Sequence, residues 1–265
     1  MKQIILNKKW VAEKLPKRPK DANKGTFGKV LVVAGSENYP GAAYLSCAAC
    51  YRVGAGLVTL ATIPSVKIIV SRKLPEVTFL KRSEIPGKIK DYDVLLVGPG
   101  LEQDYRLPLT NFPPAVIDAG GLKWGIRLKG EVILTPHPGE MSELTGLSID
   151  EIQKDRVNIV KKFAMEWRKV VVLKGANTVI ASPDGKIKIN SSVNPLLATA
   201  GTGDVLAGII AGLLAQGLKL ADAASIGVYI HGLAGEKLRK KIGNTGALAS
   251  DLLPLLPQVI GKLNI

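Results

Sequence analysis

Cysteine is scarce, with two in 265 residues, and that excludes a disulfide-scaffold protein. Aromatic residues make up only 5% of the chain, too few for the interleaved stacking platforms of single-strand nucleic-acid binders. Acidic side chains are outnumbered, 22 against 36 Lys and Arg, for a formal net charge of +14. The basic residues are scattered, with modest clusters at Lys14–Lys20, Lys81–Lys90 and Arg239–Lys241. No basic stripe of the kind that tracks a duplex emerges, so we expect no nucleic-acid partner and read the charge as a solvated surface that steers anions. Long hydrophobic runs are also missing. The longest, Val205–Leu218, has 14 residues and contains Gln216, whereas a membrane-spanning helix needs about 20. The opening MKQIILNKKW has a short apolar stretch, immediate charge and no small-residue cleavage site. It does not read as a signal peptide, and the expected location is the cytoplasm.

What is present is ordinary globular material: 46% hydrophobic and 22% charged residues, enough for a core without staples. Residues 1–24 are polar, basic and broken by Pro16 and Pro19, and are read as a lead-in that begins no core element. Residues 25–265 are read as one domain. Short apolar, β-branched runs at Lys29–Ala34, Leu57–Ala61, Val94–Val97, Ala115–Ile117, Glu131–Leu134 and Val170–Leu173 predict buried strands. Thr178–Ala181 and Lys186–Ile189 flank Ser182-Pro183-Asp184-Gly185, a hairpin signal. Helices are expected over Gly41–Val53 and Ile149–Trp167, then over about 203–217, 219–241 and 247–262. Alternating strands and helices predict an α/β protein of three layers, α/β/α, with a mostly parallel sheet. Ligands of such sheets bind where strands end and helices begin. Those positions are rich in glycine here, which suits a phosphate approached by backbone amides.

The strongest motif is Ala198-Thr199-Ala200-Gly201-Thr202-Gly203-Asp204, followed by an apolar helix. A glycine loop at a helix N-terminus offers unpaired N–H groups and the positive end of the dipole to an anion. Asp204 then reads either as a base for an attacking hydroxyl, as a contact to a hydrated metal, or as a helix cap. His137, between Pro136 and Pro138, reads either as a ligand contact or as a loop histidine without a role. His231, inside an apolar helix, reads as a packing histidine. Cys47 and Cys50 form a CxxC without a second pair; a zinc site needs four ligands, so they read as small core residues, and no protein-bound metal is expected.

Taken in order, several segments resemble the ADP/ATP-dependent NAD(P)H-hydrate dehydratases of the ribokinase-like superfamily. They are Lys24–Val30, Ala34–Ser36 with Pro40–Ala43, Gly54–Val58, Val97–Leu101, Thr135–Glu140, Val172–Ala176, Asn194-Pro195 with Ala198–Gly208, and His231–Gly235. Two departures stand out. The family pattern Asp-Ala-Asp is Asp118-Ala119-Gly120 here, and the glycine after Asn-Pro is Leu196.

The resemblance implies a ribokinase-like fold and a repair reaction. ADP, with ATP as an alternative and Mg²⁺ alongside, would drive dehydration of the S epimer of hydrated NADH or NADPH, releasing AMP and phosphate. It implies that Ala42, Gly100, His137 and Asp204 contact the hydrated cofactor, with Asp204 catalytic. Lys174, Gly175, Ala176, Asn177, Thr178 and Gly203 would contact the nucleotide, and the amides of Gly201, Thr202, Gly203 and Asp204 would form the anion hole. It also implies a homo-oligomer, a tetramer. The competing expectation is a kinase of the same fold that phosphorylates a small alcohol, such as a vitamin precursor or a sugar, and releases the phosphomonoester.

Overall fold

A computed structural model describes residues 3–103, 105–108 and 111–263. These residues form ten strands: β1 Ile4–Ile5, β2 Lys29–Val33, β3 Leu57–Ala61, β4 Thr78–Leu80, β5 Val94–Val97, β6 Ala115–Ile117, β7 Val132–Leu134, β8 Val170–Leu173, β9 Thr178–Ala181 and β10 Ile187–Asn190. All join one sheet in the order β1-β10-β9-β8-β7-β6-β5-β2-β3-β4. Pairing is parallel from β4 through to β8, while β9 runs antiparallel to both its neighbours. The turn at 182–185 closes with Gly185 N–H on the Ser182 carbonyl.

The continuous apolar runs are explained by burial on both faces, as parallel sheets demand. Along β2, Val30 and Val32 enter one core while Leu31 and Val33 enter the other, the alternation a pleated strand imposes. One face is covered by helices Pro40–Arg52, Thr202–Ala215 and Leu220–Ile242. The other is covered by Pro138–Thr145, Ile149–Lys154 and Arg156–Trp167. The expected three layers are therefore present. Helix Thr202–Ala215 is apolar all round because it is enclosed by the sheet and its two neighbouring helices. No helix among the described residues is long and apolar enough to cross a membrane.

Some elements differ from the sequence reading. The expected helix over 149–167 is two helices, since Asp155 leaves helical geometry (φ −139°, ψ 54°) and its carboxylate accepts from Asn158 N–H. The last helix begins as a tighter 3₁₀ turn, Ala249–Leu255, before becoming α-helical at Leu256–Leu263. Pro254 lies inside that turn and has no amide to donate. Cys47 and Cys50 are free and buried, and burial pushes the Cys50 thiol up to about 12, as befits core residues.

The reading of residues 1–24 as external to the core is corrected. β1 adds to the sheet edge against β10, and Val11 of helix Lys8–Lys14 is fully buried. A polar pin holds this segment down. Asp222 accepts from Lys188 at 2.7 Å and from Lys14 at 3.2 Å, and both ammonium groups lie near the Trp10 ring. Asp222→Asn should lower the urea midpoint, with a loss on the order of 2 kcal/mol, because it leaves the mostly buried Lys188 charge uncompensated. An unchanged midpoint would mean that the pin contributes nothing.

Candidate active site

Parallel neighbours bring their carboxyl ends to one edge, so residues just after β6, β7 and β8 meet although they are far apart in sequence. Asp118 follows β6 and is 2% exposed. It accepts from the Thr135 hydroxyl after β7 and from Lys174 Nζ after β8, both at 2.7 Å. Glu140, in the first turn of helix Pro138–Thr145, brings Oε2 within 3.6 Å of the same ammonium. Burial works against the Lys174 charge, but Asp118 and Glu140 outweigh it and hold the ammonium above the ordinary lysine range. Burial pushes Glu140 up, with Lys174 opposing.

Above this cluster, Gly201 turns the chain into helix Thr202–Ala215. Its φ is +89°, and a Cβ there would lie 2.7 Å from Leu45 Cδ1, so the turn requires glycine. Gly201 is the N-cap, and no side chain caps this helix; the capping reading of Asp204 therefore fails. Among the described residues, the amides of Gly203 and Asp204 have no carbonyl partner, whereas Thr202 N–H meets the Thr199 carbonyl at 3.3 Å. Of the expected anion hole, Gly203 and Asp204 are thus the freest donors beyond the Gly201 turn. Asp204 is pushed up to about 7, first by burial, then by the nearby Asp118 charge, with Lys174 opposing. It is a carboxyl poised to take or give a proton near neutral pH.

Two cavities meet at this turn. The first, about 470 Å³, is lined by Lys174, Gly175, Ala176, Thr178, Thr202 and Gly203, among others. The second, about 570 Å³, is lined by Ala42, Gly100, His137, Gly201 and Asp204 together with Glu140. The residues proposed for the nucleotide and those proposed for the hydrated cofactor thus fall into separate hollows that share one wall. Asn177 is the exception. It lines neither cavity, and holds its place through backbone geometry, with φ +54° and its N–H on the Ser192 carbonyl. His137 is the N-cap of helix Pro138–Thr145, its Nδ1 accepting from Glu140 N–H at 3.1 Å, which leaves Nε2 as the N–H of the neutral ring. The sequence reading passed over Glu140, and assigned no role to Asp118. It took His231 as packing alone; His231 is buried as expected, yet it also lines the first cavity.

A family model described as NAD(P)H-hydrate dehydratase matches residues 30–258. The chain belongs to the NAD(P)H-hydrate dehydratase family. It is 36% identical to the ADP-dependent (S)-NAD(P)H-hydrate dehydratase of Bacillus subtilis, over 92% of this chain and 93% of that one. It is 41% identical to the bifunctional NAD(P)H-hydrate repair enzyme Nnr of Moorella thermoacetica, over 98% of this chain and 54% of that protein. The chain thus spans about half the length of the bifunctional relatives it matches. The crystal structure of the B. subtilis ADP/ATP-dependent enzyme, co-crystallised with ATP/Mg²⁺, superposes with a TM-score of 0.89, 35% identity and 98% coverage of both chains. The fold is ribokinase-like.

Both departures from the NAD(P)H-hydrate dehydratase pattern have a visible setting. Leu196 is buried in the core while Pro195 and Leu197 face the first cavity, so its side chain stays out of the site. Gly120 lies at the edge of the second cavity, pressed against the loop after β5. A Cβ there would stand 2.3 Å from the Glu102 carbonyl oxygen and 2.6 Å from that of Leu101. An aspartate at this position would need that loop held farther out. Gly120→Asp should therefore displace the 101–102 loop and weaken binding of the second-cavity ligand roughly tenfold, one lost contact's worth. Unchanged KM for that substrate would show that the loop yields freely.

Proposed function

We propose that this protein is an ADP-dependent (S)-NAD(P)H-hydrate dehydratase that restores NADH or NADPH and releases AMP and phosphate, with ATP as an alternative donor that would leave ADP instead of AMP. The observation that carries the reading is the carboxyl of Asp204, raised to about 7, at the wall between two cavities of which one holds Lys174 and Gly203 and the other His137 and Gly100.

Hydroxide leaves carbon poorly, and phosphate leaves well. In this reading Asp204 takes the proton from the C6 hydroxyl as its oxygen attacks the terminal phosphorus of ADP. The anhydride bond breaks and AMP departs. The ring-nitrogen lone pair then expels phosphate from C6, and loss of a C5 proton restores the ring double bond. Free amides at Gly203 and Asp204, with Lys174 behind them, stabilise the charge on the phosphoryl group in flight. His137 offers its Nε2–H to the hydrated cofactor, and Ala42 and Gly100 leave room for it.

Mg²⁺ belongs to this reading as the companion of the nucleotide. The described residues hold no group of three or more His, Cys, Asp and Glu able to bind a metal, and Lys174 already engages Asp118 and Glu140. That donor set fits a magnesium ion held chiefly through phosphate oxygens and water, where it would neutralise phosphate charge. The reading extends to a cytoplasmic homo-oligomer, a tetramer, which sedimentation would test.

Purified protein given hydrated NADH, Mg²⁺ and either nucleotide should regain the absorbance of reduced nicotinamide, with one phosphate freed per NADH. A stable phosphomonoester from a small alcohol, with no reduced nicotinamide regained, would instead favour the kinase.

A further inference from the structure

The dehydration releases two protons, and Asp204 accounts for one of them. Having taken the proton of the C6 hydroxyl, Asp204 is a neutral acid and cannot receive the second, which leaves C5 once phosphate has gone. Another acceptor is needed on the wall of the second cavity. Among the described residues, the carboxyls lining that cavity are Glu102, Glu140, Glu143 and Asp204. Glu102 and Glu143 are exposed, and Glu143 lies 3.9 Å from Lys123 Nζ, so both belong to the solvated rim. His137 shares the cavity but has no lone pair left, since Nδ1 accepts from Glu140 N–H and Nε2 carries the ring proton. Asp118 lines neither cavity.

Glu140 remains, and its two oxygens are differently engaged. Oε2 accepts from the His137 backbone N–H at 2.7 Å and faces Lys174 Nζ at 3.6 Å, which fixes the side chain. Oε1 stands 3.6 Å from His137 Nε2, too far for a hydrogen bond, and is the oxygen left to accept a proton. Only 18% of the side chain is exposed. Burial pushes the carboxyl up against the opposing Lys174 charge, the direction that strengthens a base. The Glu140 charge is also felt at Asp204, so the two carboxyls border a common space. The bonds to be broken at C6–OH and C5–H lie on adjacent ring carbons, which one such space can hold.

We propose that Glu140 is the second base of the dehydration, its Oε1 taking the C5 proton after phosphate has departed. The C5–H electron pair becomes the C5–C6 double bond, and the ring nitrogen recovers the lone pair it lent to expel phosphate. Asp204 and Glu140 thus divide the reaction between phosphoryl transfer and ring repair. The inference rests on the dehydratase reading of the site.

The test is a rapid-quench single turnover of hydrated NADH with ADP, Mg²⁺ and the protein in excess, in which AMP and NADH are followed separately. Glu140→Gln keeps an acceptor for the His137 N–H, so the helix cap survives, and deletes the base. AMP should appear within about tenfold of the wild-type rate, while NADH lags by about 10²-fold or more, the usual contribution of a positioned base. Deuterium at C5 should slow the NADH phase of the variant further and leave its AMP phase alone. AMP and NADH both formed at wild-type rates would overturn the proposal and make the departing phosphate or water the acceptor. AMP and NADH slowed in step would also overturn it, since that marks a structural role. An NADH phase insensitive to C5 deuterium would do the same, because the slow step would not be removal of that proton. Wild-type protein that restores no NADH at all would sink the dehydratase reading itself and this inference with it.

Discussion

Asp204→Asn is expected to abolish turnover while leaving ADP binding nearly intact. Loss of a positioned base costs about 10²–10⁴ in rate, and the amide keeps the shape of the Gly201–Asp204 turn. The wild-type rate should rise with pH through about 7, because only the ionised carboxylate accepts the hydroxyl proton and burial holds its pKa there. Stability should respond in the opposite sense. Between the ordinary carboxylate value of 3.8 and about 7, the folded protein keeps a proton that the unfolded chain has released. Stability therefore falls as pH rises across that window. The asparagine variant escapes this penalty and should melt a few degrees higher at neutral pH, at roughly 2–4 °C per kcal/mol relieved. A variant that keeps most of its kcat would show that Asp204 is not the base.

The same residues illustrate what local sequence reveals. Leu57–Ala61 and Val170–Leu173 are legible as strands because burial on both faces leaves an uninterrupted apolar run. The glycine turn before helix Thr202–Ala215 is legible because its chemistry is contiguous. β1 is not legible. Ile4 and Ile5 are exposed and flanked by lysines, and what makes them a strand is pairing with β10, where Ile4 meets Lys188 far along the chain. Asp118, Glu140 and Lys174 likewise carry no joint signature in the sequence. They converge only because β6, β7 and β8 are parallel neighbours, a fact of strand order. His231 shows the limit from another side, for its apolar helix reads as packing, and only the fold shows that it also lines the first cavity.

Lys174→Met is expected to be the most damaging substitution for stability near the site. The ammonium sits 2.7 Å from Asp118 and 3.6 Å from Glu140, and it opposes the rise in the Asp204 pKa. Removing it leaves buried carboxylates facing one another with no counter-charge, and breaking a buried pair in this way costs about 3–5 kcal/mol. The residual charge must be shed by protonation, so the midpoint of the pH–rate profile should move above 7 in whatever activity survives. Nucleotide affinity should fall as well, because the phosphates lose their cation. Denaturation and a pH profile together separate this from simple loss of packing: a methionine of similar length fills the space and leaves the electrostatics exposed. Adding Asp118→Asn should restore much of the lost stability, since the two groups interact directly and their effects are not additive. It should not restore nucleotide affinity, because the asparagine supplies no positive charge. A double variant that loses as much as the two single variants added together would mean that Lys174 and Asp118 contribute independently, and that the cluster beneath the glycine turn is not an electrostatic unit.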